Sequence, residues 1–257
     1  MKQVTGNNIT EALASESILS IQQSLDGLSF CVSRFGHPLW LHKETGRTLK
    51  ECHSTLAPLQ KNYPRLRVIL DTDQFCLIPE AYFEEEAAPL FMQTHGLTPH
   101  PDTDLKIIRR EKFVWLLHVS HSFIQELAEC FSQATIEYLH PLWIGIRRTA
   151  TGNFTDIHLA PSTVHIVMHF AGALRYTDTL TCLTPADLLY LLNEIPYKEE
   201  LQKSTLIFSG CNAEFFQKQT AVYYKKTTID RPVPTKNAGS ADIPFFANLI
   251  RAAYENY

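Results

Sequence analysis

The eleven histidines are the residues of this chain best suited to metal chemistry. His118 and His121 lie three positions apart at the end of one apolar run, and His165 and His169 lie four positions apart in another. In an extended strand four residues span about 13 Å, whereas each nitrogen ligand of a zinc ion lies about 2 Å from the metal. The sequence also contains no Cys-x-x-Cys and no His-Glu-x-x-His motif. We therefore expect packed or surface histidines and no metal site.

Nucleophilic catalysis has no motif in the sequence either. No Gly-x-Ser-x-Gly elbow occurs, and Ser209-Gly210 lacks the leading glycine. The six cysteines are scattered along the chain, and the first twenty residues have no apolar signal-peptide core. We therefore expect reduced, mostly buried thiols in a cytoplasmic protein, and we predict no catalytic residue.

Composition excludes several classes of protein. The chain is 45% hydrophobic and 19% charged, with a formal net charge of −4, which is unlike a disordered tail, a collagen-like fibre or a disulfide-stapled miniprotein. The mild acidity offers no basic stripe for a phosphate backbone, so we expect no nucleic-acid partner. No apolar window approaches the roughly eighteen residues that span a bilayer, so we expect no membrane insertion.

The elements that must position these residues fall into two halves of the same order. Apolar alternation and turn residues such as Asp26-Gly27 predict three-stranded meanders. The first half, 1–150, is predicted to contain a meander over 18–43, a helix, strands within 65–79 and strands within 105–120. The second half, 151–257, is predicted to contain a meander over 154–180, a helix over 184–195 that Thr184 caps, a strand over 205–210 and a C-terminal helix over 245–257.

Proline sets two further boundaries in the first half. The composition of residues 80–96 predicts a helix that Pro89 interrupts. Residues 134–140 are predicted to form a strand that ends before Pro141, and a short helix is predicted over 142–148.

Sliding the chain along itself by 136 residues aligns the two halves. The offset places Gly36 on Gly172 and apolar residues on apolar or aromatic ones: Ile21 on Ile157, Leu28 on Val164, Phe30 on Ile166, Val32 on Met168 and Trp40 on Tyr176. Two copies of meander, helix and strand predict two similar mixed-sheet lobes that face one another across a cleft. The alternative interpretation is that any two β-meanders share such a pattern.

This order of elements resembles the actin, sugar kinase and heat-shock ATPase superfamily. More closely, residues 19–32, 114–121 and 157–169 look like a bacterial family of unknown function assigned to that fold. At greater distance the chain is similar to actin-like proteins of pilus and type II secretion machines. The resemblance implies an α/β protein of two similar lobes, each a mixed sheet of the five-stranded type with helices, in the duplicated ribonuclease H-like arrangement.

The resemblance also implies where a nucleotide would bind. In the superfamily the first hairpin of each lobe has an acidic, glycine-rich loop, whose carboxylate holds hydrated magnesium and whose N–H groups receive phosphates. Here the first loop has Gln23 and Ser24 at the place of the acid, and Asp26 with Gly27 forms an ordinary hairpin turn. An amide cannot supply the charge that magnesium needs.

The other two phosphate elements are also incomplete. The second loop has Pro161 and Ser162 but neither an acid nor a glycine. The third, which packs under adenine in the superfamily, retains a single glycine, Gly210, and Asn212 is equally suited to cap the following helix. The candidate cleft-lining residues are therefore Gln23, Ser24, Asp26, Gly27, Ser162, Gly210 and Asn212.

We predict a degenerate, non-catalytic protein of this fold that binds a protein partner or a ligand, with no cofactor. One alternative is an active ATPase or small-molecule kinase that uses ATP and magnesium. Another is a structural component that forms homo-oligomers.

Overall fold

The computed structural model describes residues 15–24, 27–35, 37–45, 51, 63, 65–98, 100–110, 112–131, 133–147, 152–231, 247 and 249–250. Its strands are β1 (Ile18–Ser24), β2 (Gly27–Arg34), β3 (His37–Thr45), β4 (Arg65–Leu70), β5 (Phe75–Pro79), β6 (Thr103–Arg110), β7 (Phe113–Ser120), β8 (Thr135–Tyr138), β9 (Phe154–Leu159), β10 (Thr163–Phe170), β11 (Ala173–Thr181), β12 (Thr205–Gly210) and β13 (Thr227–Ile229). Its α-helices are α1 (Ala88–Thr94), α2 (His121–Cys130), α3 (Leu139–Arg147), α4 (Pro185–Glu194), α5 (Lys198–Lys203) and α6 (Ala213–Thr220). Two five-stranded sheets with helices confirm the predicted α/β class of two similar lobes.

The first five-stranded sheet has the order β3-β2-β1-β4-β8. β1 pairs antiparallel with β2 and parallel with β4, so that Ile21 lies between Phe30 and Val68. All three side chains are buried in one hydrophobic core. Burial of this apolar set fixes the register, because a slip by one residue would turn every side chain to the other face.

The second five-stranded sheet repeats this order as β11-β10-β9-β12-β13. Its hairpin pairs Ile157 with Ile166, which is the pairing of Ile21 with Phe30 shifted by the predicted 136 residues. The outer strand pairs of the two sheets also change register at matching places, after Val32 and after Met168. The equivalence of the two hairpins is therefore geometric; an origin by duplication stays a prediction.

A third sheet lies between β4 and β8 in the chain. β5, β7 and β6 pair antiparallel in that order. The sequence predicts these strands but gives no sign that they form a sheet of their own. Ile78, Val114 and Leu116 of this sheet are buried together with Met92 of α1, so the insertion has its own small core.

Both boundaries that were predicted from proline are wrong. Residues 80–96 contain two short 3-10 turns, Glu80–Tyr82 and Glu85–Ala87, before α1, and Pro89 lies in the first turn of α1. Likewise β8 ends at Tyr138, and α3 begins before Pro141. Proline is tolerated at a helix start because the first N–H groups of a helix have no partner within it. The second correction places His140 on a helix instead of a strand.

The start of α4 follows the sequence prediction closely. Oγ1 of Thr184 accepts a hydrogen bond from the Asp187 backbone N–H, and Oδ2 of Asp187 accepts one from the Thr184 N–H. This reciprocal capping box, with Pro185 in the first turn, confirms the predicted helix start.

Some predictions concern parts of the chain that the structure leaves undescribed. The helix predicted after the first meander and the helix predicted over 245–257 lie, apart from single residues, outside the described residues. Among the helices that are described, none has the length and apolar character that crossing a membrane requires.

Candidate functional site between the two five-stranded sheets

A cluster of polar side chains lies buried between the two five-stranded sheets. Asp71 directly follows β4, and His140 lies in the first turn of α3, which follows β8. His165 lies on β10 of the second sheet. The side chains of Asp71 and His165 are 3% and 1% exposed, and His140 is fully buried. The cluster therefore joins both lobes away from solvent.

Short polar contacts hold the cluster together. Nε2 of His165 lies 3.4 Å from Oδ2 of Asp71, and Nδ1 of His165 lies 2.7 Å from Oγ1 of Thr179 on β11. Nε2 of His140 donates a hydrogen bond of 3.2 Å to the carbonyl oxygen of Thr72. One possible ligand atom from each of Asp71, His140 and His165 lies within 4.8 Å of the others.

Aromatic rings and a third histidine, His158, surround these contacts. Phe75 stacks on His140 with 3.9 Å between ring centroids. Trp143 of α3 meets His158 and His165 edge to face at 5.7 and 6.4 Å. His158 pairs with His165 across the β9–β10 hairpin, and its Nδ1 lies 2.8 Å from Oγ of Ser209.

Burial controls the protonation of the cluster. Burial lowers the pKa of His140 to about 3, and the neighbouring His165 adds to the effect. Burial also lowers the pKa of His158 to about 3. For Asp71 burial is the largest influence and acts to raise the pKa, but the attraction of His165, His140 and His158 outweighs it and the pKa is lowered. At neutral pH the carboxyl group of Asp71 is therefore ionised, and the imidazoles of His140 and His158 are neutral.

Comparison with known proteins decides the family. The model of the family described as "Protein of unknown function (DUF3822)" matches residues 7–208. The chain belongs to this family. No curated protein matches the chain significantly.

Solved structures place the DUF3822 chain in a known fold. A Bacteroides thetaiotaomicron VPI-5482 protein of unknown function with an actin-like ATPase fold is 18% identical, with a TM-score of 0.72 over 95% of this chain and 99% of that one. A structure of the PilM–PilN type IV pilus biogenesis complex is 12% identical, with a TM-score of 0.53 over 93% of this chain and 98% of that one. At these identities the likeness shows the fold alone, which is actin-like.

The first predicted loop lies beside the cluster. The carbonyl oxygen of Gln23 accepts a hydrogen bond of 2.9 Å from the Asp71 N–H, and the Gln23 side chain donates to the carbonyl oxygen of Ser24. Gly27 begins β2 with a φ of 136°, and Asp26 lies outside the described residues. The carboxylate near Gln23 is therefore that of Asp71, at the end of the neighbouring strand β4.

The predicted residues of the second lobe lie at turns. Ser162 is exposed in the β9–β10 turn. Gly210 ends β12 with a φ of 90°, and a Cβ added there would lie 2.0 Å from the carbonyl oxygen of Leu159. Asn212 precedes α6 in a left-handed conformation and makes no side-chain capping bond. None of these three residues contacts the cluster through a described side-chain hydrogen bond.

Sequence reasoning missed Asp71 and His140 because their partners lie far away in the chain. The sequence analysis compared His165 with His169 on the same strand. It did not compare His165 with Asp71 or His140, which lie far away in the sequence. One signal was present: carboxyl ends of neighbouring parallel strands meet at one sheet edge. Asp71 directly follows β4, His140 comes two residues after the end of β8, and these strands pair in parallel.

Proposed function

We propose that this DUF3822 chain is a non-catalytic protein of actin-like fold that binds a protein partner. The observation that carries the proposal is the burial of Asp71, His140 and His165 between the two five-stranded sheets, each with a side chain at most 3% exposed. Asp71 lies beside Gln23, which stands at the place where the resemblance puts the acid that holds magnesium. The buried imidazoles of His140 and His165 and the indole of Trp143 are packed beside it here.

The chemistry of the donors supports the same proposal. Magnesium prefers hard oxygen ligands and keeps several of its waters, whereas the cluster offers a single carboxylate, Asp71, beside neutral imidazoles packed against Phe75 and Trp143. Gln23, at the place of the superfamily's acid, has an amide that cannot balance the charge of the metal. A Cβ at Gly210 would clash with the backbone of Leu159, so packing of the two strands is a sufficient reason for a glycine there. The residues present do not fit a magnesium-bound triphosphate.

We expect no nucleotide binding and no hydrolysis. Calorimetric titration of the purified protein with magnesium-ATP should give only the heat of dilution, and phosphate release should equal that of a protein-free control. Saturable binding together with turnover that Asp71→Asn or Asp26→Ala abolishes would contradict the proposal and favour the ATPase or kinase alternative.

A groove of about 370 Å³ is the proposed location of the partner. It lies between β5 and β11, with Phe75 and Leu77 on one side and Tyr176 and Asp178 on the other. Among the described strands, β5 and β11 are edge strands of their sheets. Edge strands present unpaired backbone groups that an extended peptide can satisfy. The PilM–PilN structure, a similar fold within a protein complex, supports a role of this kind.

Site-specific cross-linking tests this location. A photoreactive phenylalanine analogue at Thr177, which lines the groove, should give one adduct in cells that naturally produce the protein. The same analogue at Tyr190, exposed on α4, is the matched control. A synthetic peptide of the cross-linked segment should then bind the purified protein. Equal adducts at both positions, or a peptide that fails to bind, would contradict the location; an adduct with a second copy of this chain would favour the oligomer-forming alternative.

A further inference from the structure

We propose that Asp71, His140 and His165 bind a divalent transition metal of the zinc class between the two five-stranded sheets. The proposal departs from the sequence analysis, which expected no metal site because His165 and His169 are too far apart for one ion. It combines instead one donor from the end of β4, one from α3 and one from β10. It does not depend on the proposed function, since a metal here neither requires nor prevents a protein partner.

The distances suit a single ion. Two ligand atoms that each lie about 2.0–2.1 Å from zinc in a tetrahedral arrangement are about 3.4 Å apart. Nε2 of His165 and Oδ2 of Asp71 are 3.4 Å apart. A ligand atom of His140 lies within 4.8 Å of both, so a modest movement of the His140 side chain would complete a three-ligand set.

The cluster without a metal leaves polar atoms unsatisfied. Nε2 of His165 and Nδ1 of His140 are buried and have no hydrogen-bond partner among the described residues. The contact between His165 and Asp71 is close enough for an ion pair but is not an aligned hydrogen bond. Buried polar atoms without partners are destabilising, because they have lost their hydrogen bonds to water. A metal ion would satisfy such atoms in one step.

The hydrogen bonds around the two histidines are of the kind that orient histidine ligands in protein metal sites. A metal-binding histidine usually hydrogen-bonds its other ring nitrogen to a carbonyl, carboxylate or similar group, which fixes the ring. Here Nε2 of His140 donates to the Thr72 carbonyl oxygen, and Nδ1 of His165 contacts Oγ1 of Thr179 at 2.7 Å. Phe75 and Trp143 form an apolar wall around the donors.

The donor types select the metal. Imidazole with a carboxylate suits zinc and its neighbours in the first transition row, whereas magnesium and calcium prefer oxygen ligands alone. Three protein ligands leave a fourth tetrahedral position for water or for His158, whose ring centroid is 5.9 Å from that of His165.

Zinc titration of the full chain is the first test. After treatment with a chelator and its removal, calorimetry with zinc should show one saturable site per chain, with a dissociation constant at or below about 1 µM. Asp71→Asn and His165→Gln should each weaken zinc binding at least about 100-fold. Asp73→Asn, two residues away, and His118→Gln, a buried histidine on β7, should leave it unchanged. Absence of saturable binding, or binding that survives both cluster substitutions, would overturn the proposal.

A spectroscopic measurement on the unsubstituted chain avoids dependence on variants that can misfold. X-ray absorption at the zinc edge should show nitrogen and oxygen ligands at about 2.0–2.1 Å, with two or three imidazoles. Sulfur ligands at about 2.3 Å, or no imidazole, would overturn the proposal. Neither result bears on nucleotide binding, so failure of the metal site and failure of the proposed function are distinguishable.

Discussion

Replacement of Gly210 by alanine is expected to destabilise the protein by more than about 4 kcal/mol or to prevent folding. The added Cβ would lie 2.0 Å from the Leu159 carbonyl oxygen and 2.7 Å from its backbone nitrogen, in a backbone conformation with a φ of 90°. Both contacts are with backbone, which cannot rotate away as a side chain can, so the β9–β12 pairing itself must move. Urea unfolding followed by circular dichroism measures the loss.

Gly172→Ala is the matched control for this prediction. Gly172 has a φ of 75°, but a Cβ there would meet nothing within 4 Å. We expect a loss of only about 1–2 kcal/mol, the cost of a left-handed conformation alone. If the two variants were equally stable, the close approach of Gly210 to Leu159 would be wrong, and a role for Gly210 in ligand contact would regain weight.

Stability is expected to fall steeply in mild acid. The pKa of each of His140 and His158 is lowered to about 3 in the folded protein, whereas an unfolded histidine has a pKa of about 6.5. Between these values the unfolded chain binds protons that the folded chain does not, so acid favours unfolding. The stabilisation is complete above about pH 6.5 and is lost at about 1.4 kcal/mol per pH unit for each histidine as the pH falls toward 3.

The two histidines together should therefore lower the free energy of unfolding by about 4 kcal/mol between pH 7 and pH 5. Asp71 acts at lower pH, because its lowered pKa gives stability that is present above about 3.8 and lost as the pH falls through the folded pKa. The charged or titratable groups that act on both imidazoles are Asp71 and His165; His158 also acts on His140, and Asp230 acts on His158.

Urea unfolding at a series of pH values, with a chelator present, measures this slope. His140→Gln and His158→Asn, each chosen to imitate the ring nitrogen that makes the hydrogen bond, should each reduce the slope by about one proton. His95→Gln, on the exposed surface, is the control and should keep the parent slope. A flat profile from pH 7 to 5 in the parent protein would contradict the burial of the two imidazoles.

The hairpins could be predicted from the sequence because the residues that determine them lie close together in the chain. Alternation in β2 and β10, together with turn residues at a fixed offset, determines which residues pair. The structure has the same register in both hairpins. The capping box at Thr184 was equally readable, since its two partners are three residues apart.

The cluster could not be predicted in the same way because its contacts join distant parts of the chain. Asp71 reads as the end of a strand and His140 as a residue before a proline; only the parallel pairing of β4 with β8 brings them to one edge. The prediction of a strand over 134–140 concealed this contact, because it placed His140 on a strand. In the structure His140 lies on α3, where its ring contacts that of His165. The sequence showed that Gln23 stands in place of the acid. It did not show that Asp71 lies next to Gln23 in space.

The most direct test of the account is a crystal structure after soaking with magnesium and a non-hydrolysable ATP analogue. We predict that the side chains of Asp71, His140 and His165 stay packed between the two sheets and that no nucleotide is ordered there. An ordered triphosphate in that place, with protein oxygens around magnesium, would contradict the central claim that these side chains replace the nucleotide.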